Sequence, residues 1–165
     1  MQRESPSGSF GSGGLSDKGE KMIRKVTQND RELFVTLSEE FFSSDAVYHS
    51  IPTEFHEKSF DELMRSDEYI EAFILERDGA PAGYALIAKT FSHEAGGKVV
   101  WIEELYVREQ YRGHGLGKAF FAYMDENCPA ARHRLEIEPD NVRAKKLYSS
   151  LGYEELPYAQ MIKGK

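Results

Sequence analysis

The chain has 165 residues, 40% of them hydrophobic and 30% charged, enough for one domain with a sizeable core and too few for two ordinary ones. Its 28 acidic residues against 21 Lys and Arg leave a formal net charge of −7, which offers no basic field for a phosphate backbone and argues against nucleic acid as a partner. One cysteine, Cys128, excludes an internal disulfide, and the five scattered histidines (His49, His56, His93, His114, His133) show no zinc-like spacing, so no metal and a reducing, cytoplasmic setting are expected. No apolar run approaches the roughly 18 residues of a membrane span, and the first twenty residues lack the apolar core of a signal peptide.

From Met1 to Lys21 the sequence holds five Gly, five Ser and only three apolar residues, too little to offset the entropy of an ordered backbone. This stretch reads as a flexible tail, either a tag remnant or a linker, and the folded domain as residues 22–165. Met22 to Val26 reads as a strand. Between Asp30 and Ser43, Leu33, Phe34, Leu37 and Phe41 recur at helical spacing with Asn29 or Asp30 available as a cap. Phe55 to Arg65 predicts a second helix with Phe60, Leu63 and Met64 inward. Ala72 to Leu75 and Gly83 to Thr90 predict a hairpin closed by Asp78-Gly79, and Val99 to Val107 the next strand. Leu116 to Asn127 predicts a helix, Arg134 to Glu138 a strand, and Ala144 to Leu151 a helix stopped by Gly152. A last strand is expected after it. This order implies an α/β fold, a sheet of mixed direction with helices on both faces.

The most informative stretch is Trp101 to Phe121, WIEELYVREQYRGHGLGKAFF. Ile102 and Leu105 are three apart, so either both faces of the strand are buried or a bulge inserts one residue near Glu103-Glu104. Gly113, Gly115 and Gly117 alternate just before a helix, where successive N–H groups and the helix N-terminus can meet an anion. A Walker A loop is excluded, because the spacing is one residue short and Ala119 cannot bind magnesium. The spacing G-x-G-x-G also departs from the dinucleotide fingerprint, although Glu136 or Glu138 sits about where a ribose-binding acid would.

Gln110-Tyr111-Arg112-Gly113-His114-Gly115 resembles the Q/R-x-x-G-x-G/A pyrophosphate motif of the GNAT superfamily of acyl-CoA-dependent N-acyltransferases. Glu138 to Tyr148, with Leu151-Gly152-Tyr153, resembles the same superfamily's E-x-x-N-x-x-A-x-x-L-Y segment. The resemblance implies a GNAT-like, mostly antiparallel mixed sheet with a β-bulge at the central strand. It implies acetyl-CoA as co-substrate, its pyrophosphate on the segment Gln110, Arg112, Gly113, His114, Gly115, Leu116, Gly117 and Lys118, with Lys145 adding positive charge. Leu105, Tyr106 and Val107 would run beside the pantetheine arm, one N–H polarising the thioester carbonyl, and Asn141 would bond that arm. Tyr148 would be the acid that protonates the leaving thiolate, where the helix stripe alone makes it a core aromatic. A primary amine is mostly ammonium at neutral pH, so a base is also needed, and by resemblance to the polyamine acetyltransferases Glu103 is the first candidate and Glu104 the second. Without that role they are two surface carboxylates of a strand.

Thirteen acids stand against three basic residues between Asp30 and Glu76, whereas the expected cofactor segments, with Arg108, Arg112, Lys118, Arg143, Lys145 and Lys146, are basic. This division favours a small cationic amine as acceptor, unless the acids are only solvated helix faces. A protein or peptide N-acetyltransferase and a non-catalytic acyl-CoA-binding module are the alternatives. A homodimer is compatible with the resemblance, and no membrane partner is expected.

Overall fold

The computed structural model describes residues 23–44, 47 and 50–164, so the Gly/Ser-rich segment 1–21 lies outside the described residues. In chain order the elements are β1 (Ile23–Lys25), α1 (Arg31–Phe42), α2 (Thr53–Arg65), β2 (Ile70–Arg77), β3 (Ala80–Ser92), β4 (Gly97–Val107), α3 (Leu116–Asn127), β5 (Arg132–Leu135) and α4 (Val142–Ser150). They form one five-stranded sheet in the order β1-β2-β3-β4-β5, antiparallel from β1 to β4, with β5 parallel to β4. This is the expected mixed, mostly antiparallel sheet.

The two-residue period of the strands divides the core. Ala72 and Ile74 on β2 and Tyr84 and Leu86 on β3 face α1 and α2, where Phe34, Leu37, Phe41 and Phe60 close over them. Phe73, Leu75, Ala85 and Ile87 face the other way, against Leu116, Phe120, Phe121 and Met124 of α3. Burying each large side chain is worth about 1.5–3 kcal/mol, so the two layers together hold the helices against the sheet. The β2–β3 hairpin turns on Asp78 (φ 52°) and Gly79 (φ 78°), two left-handed residues that match the right-handed twist of the strands.

The N-terminal strand is tied to α1 by charge. Asp30 is buried, and its carboxylate accepts from Arg24 Nη1 and Nη2 at 2.8 and 2.9 Å and from the Thr27 N–H at 2.8 Å. Arg24 above all, and then Thr27, hold its pKa at about 2, below the 3.8 of a free side chain and against the opposing effect of burial. A depressed folded-state pKa stabilises above the unfolded value and loses that stabilisation as pH falls through about 4 towards 2. Asp30→Asn is therefore expected to lower unfolding free energy by about 2 kcal/mol at pH 7 and by little at pH 2, as urea melts at the two pH values would show.

Two expectations are corrected. β5 begins and ends before the predicted Arg134–Glu138, because its pairing with β4 stops at Leu135. Among the described residues no strand follows α4. Residues 153–164 run without regular secondary structure, with Pro157 lacking a ladder donor and Tyr158, Met161 and Ile162 exposed.

Candidate active site

β4 and β5 are paired from Val99–Arg132 to Ile102–Leu135 and then part. At the same place β4 is bulged: Ile87 of β3 opposes Ile102 and Leu86 opposes Glu104, so Glu103 is the extra residue with no partner on β3. The irregular spacing of Ile102 and Leu105 thus arises from a bulge. Beyond it the ladder with β3 resumes, and the Arg108 N–H donates to the Ala82 carbonyl at 2.9 Å. Alternation along the strand then turns the N–H groups of Leu105 and Val107 to the opposite edge, into the gap left by β5.

The glycine-rich loop follows directly. Gly113 and Gly115 have φ of 79° and 83°, a left-handed backbone that residues with a Cβ resist, and Gly115 caps α3. The first N–H groups of α3 have no partner within the helix, and Leu116, Gly117 and Lys118 of its first turn line the cleft beside the loop. Arg112 is held over this turn by an Nε bond to the Val107 carbonyl at 2.8 Å. Loop, strand edge and α4 together enclose a cleft of about 1370 Å³. Its walls include Leu105, Tyr106, Val107, Arg112, Gly113, Gly115, Leu116, Gly117, Lys118, Asn141 and Tyr148. A smaller cavity of about 90 Å³ lies between the parted strands, where Glu103, Asn141 and Tyr148 meet.

At the inner end, Tyr148 packs against Phe121 and Tyr153 with ring centroids 5.5 and 6.1 Å away, and burial raises its pKa, so its hydroxyl keeps a proton at neutral pH. Asn141 caps α4 by accepting the Ala144 N–H at 3.0 Å, which leaves its amide nitrogen as the donor of that side chain. Glu103 is exposed, yet the protein around its carboxyl and, secondly, the charge of Glu136 raise its pKa. Glu104 points to the other face of the sheet, where Tyr84 Oη donates to its Oε2 at 2.5 Å. Burial, opposed by that bond and helped by the charge of Glu103, lifts its pKa to about 7.

Gln110, His114 and Lys145 do not line the cleft: Gln110 and His114 are exposed, and Lys145 is ion-paired with Glu155. The basic count is also reduced at Arg108, whose guanidinium binds Glu40 in two places at 2.7 and 2.8 Å. The end of α1, with Glu40 and Phe41, forms part of the cleft wall that no local pattern announces, since more than sixty residues separate it from the bulge. Arg143 and Leu147 also line it, and their helical spacing about Ala144 and Tyr148 was a usable signal.

Residues 32–153 match the sequence profile described as the Acetyltransferase (GNAT) family. The chain belongs to this family. A thialysine N-epsilon-acetyltransferase of Bos taurus is 28% identical over 157 residues, covering 84% of this chain and 87% of the relative. Among solved structures, a possible acetyltransferase from Clostridium difficile 630 superposes with a TM-score of 0.74 at 19% identity, covering 87% of this chain and 96% of that one. The aminoglycoside acetyltransferase AAC(6')-Iy, solved with a bisubstrate analogue of CoA, gives 0.68 at 20% identity over 87% and 97%. These two likenesses concern the fold. The chain is an acyltransferase of the GNAT family.

The residues present fit an acyl-CoA in this GNAT cleft. A diphosphate needs clustered N–H donors and cations, present at the α3 N-terminus with Arg112 and Lys118. An amide-bearing arm needs an open strand edge, present at Leu105 and Val107. Among the described residues no group of His, Cys, Asp and Glu side chains could hold a metal ion, and no helix is long and apolar enough to cross a membrane.

Proposed function

We propose that this chain moves an acetyl group from acetyl-CoA to the nitrogen of a small cationic primary amine, by direct attack with both substrates bound. The observation that supports it most is the convergence of a candidate base, Glu103, and a candidate acid, Tyr148, on one cavity between the parted strands. Acetyl-CoA, when bound, supplies an acyl group already activated as a thioester. Backbone N–H groups at Gly113 to Lys118, with the Arg112 and Lys118 side chains, would hold the diphosphate. Those of Leu105 and Val107 would align the arm, one of them polarising the carbonyl oxygen.

Removing a proton from an amine of pKa near 10 is about 4–5 kcal/mol uphill at pH 7, and the raised pKa of the Glu103 carboxyl brings it closer to that task. Tyr148 Oη would return a proton to the departing sulfur. The acceptor class is supported by the name of the bovine relative, an N-epsilon-acetyltransferase of thialysine. The count of acids between Asp30 and Glu76 supports it less, because many of them are engaged within the fold: Asp30 with Arg24, Asp61 with Arg31, Glu71 with Lys25 and Lys89, Glu40 with Arg108. The carboxylates beside the smaller cavity are those of Glu103, Glu136 and Glu138.

Thiol release from acetyl-CoA, assayed with diamines, amino sugars, lysine-like amines and peptides, tests this function. Turnover is expected on the small cationic amines. Tyr148→Phe is expected to lower kcat about tenfold with little change in KM for acetyl-CoA, a moderate effect because a thiol of pKa about 8.5 leaves readily. Binding of acetyl-CoA without turnover on any amine, and no rate change in Tyr148→Phe where turnover occurs, would each count against the assignment.

A further inference from the structure

The cleft and the smaller cavity share six wall residues, Phe41, Leu105, Glu138, Asn141, Ala144 and Tyr148, so the space where Glu103 meets Tyr148 opens from the cleft. One of the six comes from the helices on the opposite face of the sheet. Phe41, in the last turn of α1, lines both spaces, and among the described residues no other residue of α1 or α2 lines the smaller one. It is only 8% exposed, and its ring packs against Tyr84 and Tyr106 with centroids 6.3 and 6.2 Å away and against Phe42 at 5.1 Å. Aromatic neighbours on these sides keep the ring from swinging away from the cavity.

The turn that carries it is tied down as well. Glu40 accepts from Nε and Nη2 of Arg108 at 2.8 and 2.7 Å, and Arg108 Nη1 donates to the Pro81 carbonyl at 3.1 Å. A forked ion pair fixes angle as well as distance, so the end of α1 is held to the same end of β4 that offers its N–H groups to the cleft. Volume then decides what this wall does. An apolar cavity of about 150 Å³ takes a benzene molecule, or about 25 Å³ for each heavy atom, so about 90 Å³ holds about three or four. The carbon, oxygen and methyl of an acetyl group, together with the attacking nitrogen, make four. A butyryl group brings two more carbons, for which Phe41 leaves no room. We propose that Phe41 is a specificity-determining residue that limits the transferred acyl group to acetyl and, less well, propionyl, and that Glu40 and Arg108 are positioning residues for it. The inference rests on the function proposed above, which brings the thioester carbon to this cavity, and adds which acyl donors the site takes.

Initial rates with acetyl-, propionyl- and butyryl-CoA and one diamine provide the test. An unaccommodated methylene costs about 10–200-fold in kcat/KM, so the wild type is expected to use butyryl-CoA at least about a hundredfold less well than acetyl-CoA. Phe41→Leu, which keeps an apolar side chain in the core, is expected to raise the butyryl-to-acetyl ratio about tenfold, and Phe41→Ala, where it folds, by more. Glu40→Ala is expected to raise the ratio about threefold, and Glu40→Gln, which keeps one acceptor oxygen, by less. Calorimetric binding without any amine supplies a readout independent of turnover. There the wild type is expected to bind butyryl-CoA about tenfold more weakly than acetyl-CoA, and Phe41→Leu to bind the two alike. An unchanged ratio in Phe41→Leu, or a wild type that uses butyryl-CoA as readily as acetyl-CoA, overturns the proposal. An unchanged ratio in Glu40→Ala overturns the positioning role of the ion pair. Absence of turnover with every acyl-CoA, while the binding difference appears and Phe41→Leu removes it, would overturn the transfer function and leave the limit on acyl size standing.

Discussion

Glu103→Gln is expected to lower kcat for acetyl transfer to a primary amine about a hundredfold, the lower end of what a positioned general base contributes. The substitution keeps size and shape at an exposed bulge residue with no partner on β3, so the thermal midpoint should hardly move and acetyl-CoA should bind as before. The carboxyl of Glu103 has a raised pKa, and a base of raised pKa gains its proton, and so loses activity, at a higher pH than a free Glu would. The acid limb of the wild-type pH–rate profile should therefore lie above the range of a free Glu and disappear in the variant. Steady-state kinetics across pH 5–9, with Glu104→Gln in parallel, checks this. If Glu103→Gln stays within about threefold of the wild type while Glu104→Gln loses a hundredfold, the base is Glu104.

Gly83→Ala is the change expected to harm the fold most. Gly83 is buried opposite Val107 at the end of the β3–β4 ladder, and a Cβ there would collide with the Tyr106 carbonyl oxygen and stand 3.0 Å from the Val107 Cα. Backbone cannot withdraw as a side-chain tip can, so the two strands must separate locally. About 3 kcal/mol of destabilisation is expected, a fall in Tm on the order of 10 °C, read by calorimetry. The same separation displaces the N–H groups of Leu105 and Val107, so the folded fraction should also bind acetyl-CoA more weakly. A melt within about 2 °C of the wild type would show that the strands accommodate the methyl group.

Much of this was legible along the chain. The hydrophobic spacing of Leu33 to Phe41 and of Leu116 to Met124 predicted α1 and α3, and the interval between Ile102 and Leu105 left two readings, a bulge or a strand buried on both faces, of which the structure shows the first. Gly113 and Gly115, with the segment from Glu138 to Tyr148, pointed to the GNAT family, because a backbone that wraps an anion needs small residues at fixed offsets. These signals are local, arising from neighbours within a few residues. The absence of a last strand was not legible, since an apolar run such as Leu156 to Ile162 becomes a strand only where a sheet edge accepts it.

Charge shows where local inference ends. The composition correctly reported an acidic segment from Asp30 to Glu76 and a basic one around the glycine loop, but a count cannot tell a solvated charge from a paired one. Folding brings Arg24 to Asp30 and Glu76, Lys25 and Lys89 to Glu71, and Arg108 to Glu40 across as many as 68 residues of chain, so much of that contrast is used to hold the domain together. By itself the sequence pointed to the family, to the glycine-rich loop before α3 and to the pair of carboxylates on β4. Only the tertiary structure decided that those carboxylates part company, Glu103 turning to the cavity with Tyr148 and Glu104 to the buried Tyr84. The reason is the bulge itself: one extra residue breaks the two-residue alternation, and which face each side chain then takes depends on the partner strand.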